Sequence, residues 1–328
     1  MEAETWTSTE LSWRLDDTTI DGTLVMPAGE GPFPAVVMVA GSGPTDRDWN
    51  SPLLPGTNGS ARLLAAAVAD AGFASLRYDK RASGPRVAAN MAVLAGRISM
   101  ASHRDELAGA VRQLAATSRV RADRIFAVAN SEGTLHALGY QAATPEVPLA
   151  GLVLIGPPGR PIGTVARSQI AAALATMPNR DALLALYDDA IARFVAGEPV
   201  TPGPALPEIA RTLILGLTAP MNLPFARELW TADAAPLLRA LDVPALVVIG
   251  RKDIQIDWRA DGELLQEAAS GTRDVTFLFP ENADHVLKHE LRPRSALTAA
   301  DAAGYNAPDR QLDKDALDAI IAWLSDRA

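Results

Sequence analysis

A serine placed directly between a strand-like run and a helix-like run is the feature of this sequence best suited to covalent chemistry. The run RIFAVA (124–129) leads into Asn130-Ser131-Glu132-Gly133 and then an amphipathic stretch. So sharp a strand-to-helix turn lifts its central side chain above the sheet, and the small residues Ala129 and Gly133 on either side let the crowded backbone close. Ser131 is therefore a candidate nucleophile; the competing reading makes it a plain helix N-cap, a position serine also favours. A hydroxyl nucleophile needs a base, and the chain has four histidines. His103 falls in a helix first turn and reads as a solvated surface residue. His136 lies more than a turn beyond the elbow on the same helix and reads as packed or capping. His285 follows the run VTFLF (275–279) through a short loop, at the carboxyl end of a strand, where a base must stand to meet a nucleophile at a neighbouring strand end. His289 is the alternative base. An orienting carboxylate belongs between them in chain order. Asp253, just after the run ALVVI (245–249) and Gly250, has that place, with Asp257 and Asp284 as competitors.

A fourth element follows the first buried run. Ala40-Gly41-Ser42-Gly43-Pro44-Thr45-Asp46-Arg47-Asp48 superficially resembles a dinucleotide fingerprint, but G-x-G-x-x-G would need glycine where Asp46 stands. It reads better as an oxyanion loop, the backbone N–H of Ser42 joined by that of Glu132, two donors aimed at a developing negative oxygen. Asp46, Arg47 and Asp48 then hold the loop by ion pairs, and Glu132, at a helix start, is structural in its side chain. Gly56-Thr57-Asn58-Gly59-Ser60 lacks the lysine of a phosphate cradle, and neither GxxxxGK[ST] nor HExxH occurs.

These residues need a scaffold that sets strand ends side by side. Residues 13–26 alternate apolar and polar around Asp21-Gly22 and read as an antiparallel pair with its turn there. AVVMVA (35–40) is a near-continuous β-branched run, the mark of a strand buried on both faces of a parallel sheet. Helical pattern at 59–71, a strand at 74–78, a helix opening at Ser102 with Asp105 in capping-box position, and strands at 124–129 and 152–155 continue the alternation. Strand–helix–strand repetition predicts an α/β fold with a mostly parallel central sheet flanked by helices. From about 161 to 235 only helical segments occur, near 162–177, 180–196, 207–217 and 225–231. Strands resume at 245–249 and 275–279, and a helix over 315–325 closes the chain. The organisation expected is a core of residues 1–160 and 236–328 with a helical cap, 161–235, inserted over the strand ends where open α/β sheets bind ligands.

Composition bounds the rest. The chain has 328 residues, 48% hydrophobic and 21% charged, as in a soluble globular protein large enough to need no covalent staples. Thirty Lys and Arg against thirty-nine Asp and Glu give a net charge of −9, a poor match to nucleic acid or anionic lipid. Cysteine is absent, which removes disulfides, thiolate nucleophiles and cysteine-based metal sites together. No apolar run approaches the roughly 18 residues of a membrane span. The polar start MEAETWTSTE does not read as a signal peptide, so a cytoplasmic location is expected. The oligomeric state is left open, a homodimer being one option.

The same stretches carry a resemblance to the α/β-hydrolase superfamily along essentially the whole chain. They are similar to the esterase and dienelactone-hydrolase-like group with an HGSGPxDRD oxyanion loop, an LRYDKRG turn, a GHSEGG elbow and an NHxxK histidine loop. The counterparts here are AGSGPTDRD (40–48), LRYDKRASG (76–84), ANSEGT (129–134) and ADHVLK (283–288), and the tail GYNAPDRQLDKDALDAIIAWL (304–324) is similar too. Ala40 stands where the group has His, Ala129-Asn130 where it has Gly-His, and Thr134 where it has Gly. The expectation is a serine hydrolase with Ser131 as nucleophile, His285 as base and Asp253 orienting it, acting on a small to medium carboxylic ester without metal or organic cofactor. Gly41, Met177, Met221, Phe225 and Trp230 are candidate pocket residues, the cap ones equally readable as cap core. Acyl transfer or cyclisation, amide, thioester, lactone or C–C cleavage on the same triad, and a non-catalytic binding module, are the alternative readings.

Overall fold

A computed structural model describes residues 5–271 and 274–328. The two-faced burial expected of residues 35–40 is realised in β3 (Phe33–Val39), whose side chains alternate between two separate apolar cores. Ala35, Val37 and Val39 pack into one, and Val36 and Met38 into the other, because successive side chains of a strand point to opposite faces. Helices must therefore cover both faces. The first face takes α3 (Met100–Ala115) and α4 (Glu132–Ala142), through Leu107, Val111, Leu114, Leu135 and Leu138; the second takes α1 (Ser60–Asp70) and α11 (Lys314–Ser325), through Leu64, Val68, Ile320 and Trp323.

Among the described residues the sheet has eight strands in the order β1-β2-β4-β3-β5-β6-β7-β8. They are β1 (Trp6–Leu15), β2 (Thr18–Pro27), β3, β4 (Ala74–Tyr78), β5 (Val120–Asn130), β6 (Gly151–Ile155), β7 (Ala245–Val248) and β8 (Val275–Leu278). The β1–β2 hairpin joins the edge antiparallel to β4, and β3 to β8 run parallel. Between β4 and α3 lies α2 (Val87–Leu94), and α10 (Ala260–Ala269) links β7 to β8. Between β6 and β7 the chain makes α5 (Ile162–Ala173), α6 (Arg180–Val195), α7 (Glu208–Thr218), α8 (Phe225–Trp230) and α9 (Ala234–Arg239). Residues of α5 to α8 enclose an apolar cluster of their own around Leu183, Tyr187, Phe194 and Trp230.

Three local readings change. The hairpin turns at Asp16-Asp17, with Asp16 at φ 51°, while Asp21-Gly22 lies inside β2. Gly22 is there because a Cβ would stand 2.9 Å from both the Arg77 carbonyl and the Trp13 ring, so its glycine answers packing and not a turn. The helix expected at Ser102 begins at Met100: Ser99 caps it, and Ser102, not Asp105, completes the capping box. Helices α2, α9 and α10 were not foreseen. VAANMAVL is apolar on all sides, and α9 has six residues, so neither shows a periodic stripe.

Candidate active site

The elbow is built by crowding. Ser131 connects β5 to α4 at φ 54°, ψ −123°, a backbone state that a non-glycine residue adopts only where its surroundings enforce it. Its N–H donates to the Ile155 carbonyl at 2.8 Å, and its own carbonyl accepts from the N–H and Oγ1 of Thr134. A Cβ on Gly133 would meet the Ala40 and Val39 carbonyl oxygens at 2.6 and 2.7 Å, so only glycine lets the helix come so near β3. Ala129, paired with Val39 and fully buried, fits its methyl into the sheet. The Ser131 side chain makes no capping bond to α4, and the residue lines the cleft.

Asp253 and His285 come from the loops after β7 and β8. Asp253, in the turn after β7, accepts at Oδ1 from the N–H groups of Gln255 (2.7 Å) and Ile256 (2.9 Å). Its Oδ2 lies 2.7 Å from His285 Nδ1, the imidazole being held after β8. Burial opposes a charged His285 ring, but the Asp253 carboxylate and its hydrogen bond outweigh that, so the His285 pKa lies above the usual 6.5. Gly156, at φ 56°, leaves space for this pair: a Cβ there would be 3.1 Å from the ring and 3.4 Å from Asp253 Oδ2. Asp257 receives the N–H of Arg259 and Ala260 at the start of α10. Asp284 turns back on its own loop, accepting from the N–H of Val286 and Lys288 and pairing with Arg310 at 3.0 Å. His289, largely exposed, bonds Asp313.

Ser131, His285, Gly41 and Ser42 line one cleft of about 250 Å³ at the carboxyl ends of the parallel strands. Its apolar wall comes from Trp49, Leu53 and Leu54 in the loop after β3 and from Tyr305, with Gln255 between. The loop over 40–48 is held from behind. Lys80 Nζ donates to the carbonyls of Gly41 (2.5 Å) and Gly43 (2.6 Å), and Thr45 Oγ1 to that of Ser42 (2.6 Å). Arg47 pairs with Asp79 at 2.7 Å, Asp48 with Arg77, and Asp46 accepts the N–H of Asp48 and Asn50. The Glu132 N–H, in the unsatisfied first turn of α4, is a free-standing helix-end donor by geometry.

The four cap candidates are elsewhere. Met177 and Met221 are exposed, Phe225 packs its ring on His103 and His136, and Trp230 meets Phe194 inside the helical segment's own core; none lines the cleft. Large apolar residues at helical spacing serve a local core as readily as a ligand, and the sequence does not separate the two. His103 is not a solvated residue but buried, bonded to Glu106 at 3.0 Å. With Glu132 and His136 it offers ligand atoms within 4.8 Å of one another, spacing able to hold a metal ion, although Glu132 also faces Lys80 at 4.0 Å. Asn130, unnoticed as a site residue, bonds the His285 carbonyl at 3.0 Å and so ties elbow to base. Lys80 was not singled out as a site residue either; its signal was its place in the LRYDKRASG stretch, two residues past the end of β4.

No family model matches the chain. Esterase EstD of Thermotoga maritima is 25% identical over 274 residues, covering 82% of this chain. The chain spans 58% of that relative's length. Among solved structures, an esterase of Pyrococcus furiosus superposes with a TM-score of 0.57 at 14% identity, over 98% of this chain and 93% of that one. Proline iminopeptidase of Mycobacterium smegmatis gives 0.57 at 13%, over 97% and 98%. At such identities the likeness is one of fold. Among the described residues no helix is long and apolar enough to cross a membrane.

Proposed function

We propose that this chain, whose fold is that of the α/β-hydrolases, is a serine esterase, cleaving small to medium carboxylic esters at the cleft that carries Ser131. The observation that carries the reading is a serine hydroxyl unspent as a cap, on the same cleft wall as an imidazole whose other nitrogen is locked 2.7 Å from a buried carboxylate. With Nδ1–H donated to Asp253, the neutral ring presents Nε2 as acceptor. His285 takes the Ser131 proton as Oγ bonds to the ester carbonyl carbon, and the oxygen so charged is held by the Ser42 and Glu132 N–H groups. The imidazolium then protonates the alkoxide as the C–O bond to the alcohol breaks, and water, activated by the same ring, releases the acid and frees Ser131. The relative called an esterase supports an ester in preference to an amide or thioester. The apolar wall of Trp49, Leu53, Leu54 and Tyr305 suits an apolar acyl or alcohol group. Residues 161–235 are assigned as a cap on the core of 1–160 and 236–328; Gln169 reaches the Gln255 carbonyl at the cleft margin.

The test is labelling by a fluorophosphonate probe with mapping of the modified peptide. Ser131 is expected to carry the label, and Ser131→Ala to lose it together with at least about 10⁴ of kcat on a p-nitrophenyl ester while folding normally. Undiminished hydrolysis by Ser131→Ala rules the reading out.

A further inference from the structure

The loop that bears the Ser42 donor has little in its own backbone to fix it. Gly41 and Gly43 flank Ser42, Gly43 sits at φ 74°, and nothing stands within 4 Å of where its Cβ would be. Glycines leave such a loop many conformations unless something outside selects one. Lys80, buried at the end of β4, meets that need by binding two of the loop's carbonyls.

The peptide unit between Gly41 and Ser42 is planar and trans, so its C=O and N–H point in opposite directions. A Gly41 carbonyl drawn inward to an ammonium 2.5 Å away turns the Ser42 N–H outward, toward the cleft that Ser42 and Ser131 both line. The next anchored carbonyl, that of Gly43, precedes Pro44, which has no N–H; that contact holds the loop and orients no donor. A positive charge on a carbonyl oxygen also polarises the amide behind it, making its N–H a stronger donor. The third neighbour of the ammonium is the Glu132 carboxylate, 4.0 Å away, on the residue whose N–H is the other proposed donor. We infer that Lys80 is a positioning residue of the oxyanion hole, turning and polarising the Ser42 N–H and tying the loop to the head of α4. The inference rests on the acyl-transfer reading of the cleft.

The charged groups facing Lys80 are Glu132, with His136 beyond it, and Glu106 on α3. Burial, offset in part by Glu132 and Glu106, lowers the lysine pKa from 10.5. The test compares Lys80→Met and Lys80→Arg with the wild type on a p-nitrophenyl ester. It also measures inhibition by a trifluoromethyl ketone, whose adduct with serine carries the oxyanion. In Lys80→Met, kcat is expected to fall about 10–100-fold with KM within about twofold, less than the 10²–10³ lost with a whole donor. Ketone affinity is expected to fall by the same factor, and Lys80→Arg to recover part of both.

An unchanged kcat in Lys80→Met, or a loss confined to KM, overturns the inference. Should that variant not fold, Lys80→Gln takes its place, with folding verified by circular dichroism, and an unchanged kcat or a loss confined to KM there overturns the inference. Loss of activity in Ser131→Ala beside full activity in Lys80→Met defeats only this inference; full activity in Ser131→Ala defeats the reading beneath it.

Discussion

A serine that opens a helix ordinarily turns its hydroxyl back onto the first-turn N–H groups; Ser131, at positive φ, does not. That contrast separates nucleophile from cap, and no sequence carries it, because both roles put serine at the same position. The histidines divide the same way. The pairing of His285 with Asp253 was legible because each follows the end of a strand-like run, and such an end is a place in the fold. Lys80 and Asn130 stand in the motif stretches 76–84 and 129–134, but their partners were not legible because each bonds backbone carbonyls far away in the chain. The raised His285 pKa fixes a pH dependence. As the proposed base, His285 works only when neutral, so kcat/KM should fall as pH drops through a value above 6.5, at a higher pH than an unperturbed imidazole would give. Asp253→Asn should move that limb downward and lower kcat by several orders of magnitude. A pH profile flat from 8 to 5 rules out His285 as base, as does loss of activity in His289→Ala with none in His285→Ala.

Among the elements, those with strong periodicity or long β-branched runs were readable and the shorter ones were not. β3 announced itself by six apolar residues in succession, whereas the turn was misplaced because Asp-Gly is a turn dipeptide and only the Trp13 ring explains why glycine lies within a strand. The helical excursion was visible as an absence of strand pattern, but which of its large side chains faced inward was not. Phe225 and Trp230 answer to neighbours that periodicity cannot name. The element on which the site depends most is the junction of β5 and α4 against β3. Gly133→Ala would drive a methyl against two backbone oxygens at 2.6 and 2.7 Å, neither the end of a flexible side chain. It should destabilise the fold by about 1–3 kcal/mol and lower kcat by shifting Ser131 and the Glu132 N–H together. Chemical denaturation and steady-state kinetics read the two effects; a variant equal to wild type in both would mean that α4 is free to move away from β3.

At the scale of the whole molecule, a buried ionic assembly beneath the elbow joins what the sequence keeps apart. Lys80 faces Glu132, Glu132 bonds His136, the His136 ring lies 4.8 Å from that of His103, and His103 bonds Glu106, which pairs with Arg81. Phe225 of α8 packs against both imidazoles, so the helical excursion closes over the assembly that holds the oxyanion loop. Burial alone would raise the pKa of Glu106 and Glu132. His103 and Arg81 bring Glu106, and Lys80 and His136 bring Glu132, down to about 2 from 4.5. A carboxylate whose folded pKa lies below its unfolded one stabilises the fold fully above the unfolded value, and that contribution is lost as pH falls toward the folded value. The contribution of these two carboxylates to thermal stability should therefore be complete above about pH 5 and be lost between 4.5 and 2 with uptake of protons by the unfolded chain. Glu106→Gln should lower Tm at pH 7, because it leaves Arg81 buried opposite a neutral group, and should flatten the acid slope. Calorimetry from pH 7 to 2.5 measures both; a slope as steep in Glu106→Gln as in the wild type would assign acid sensitivity to other carboxylates.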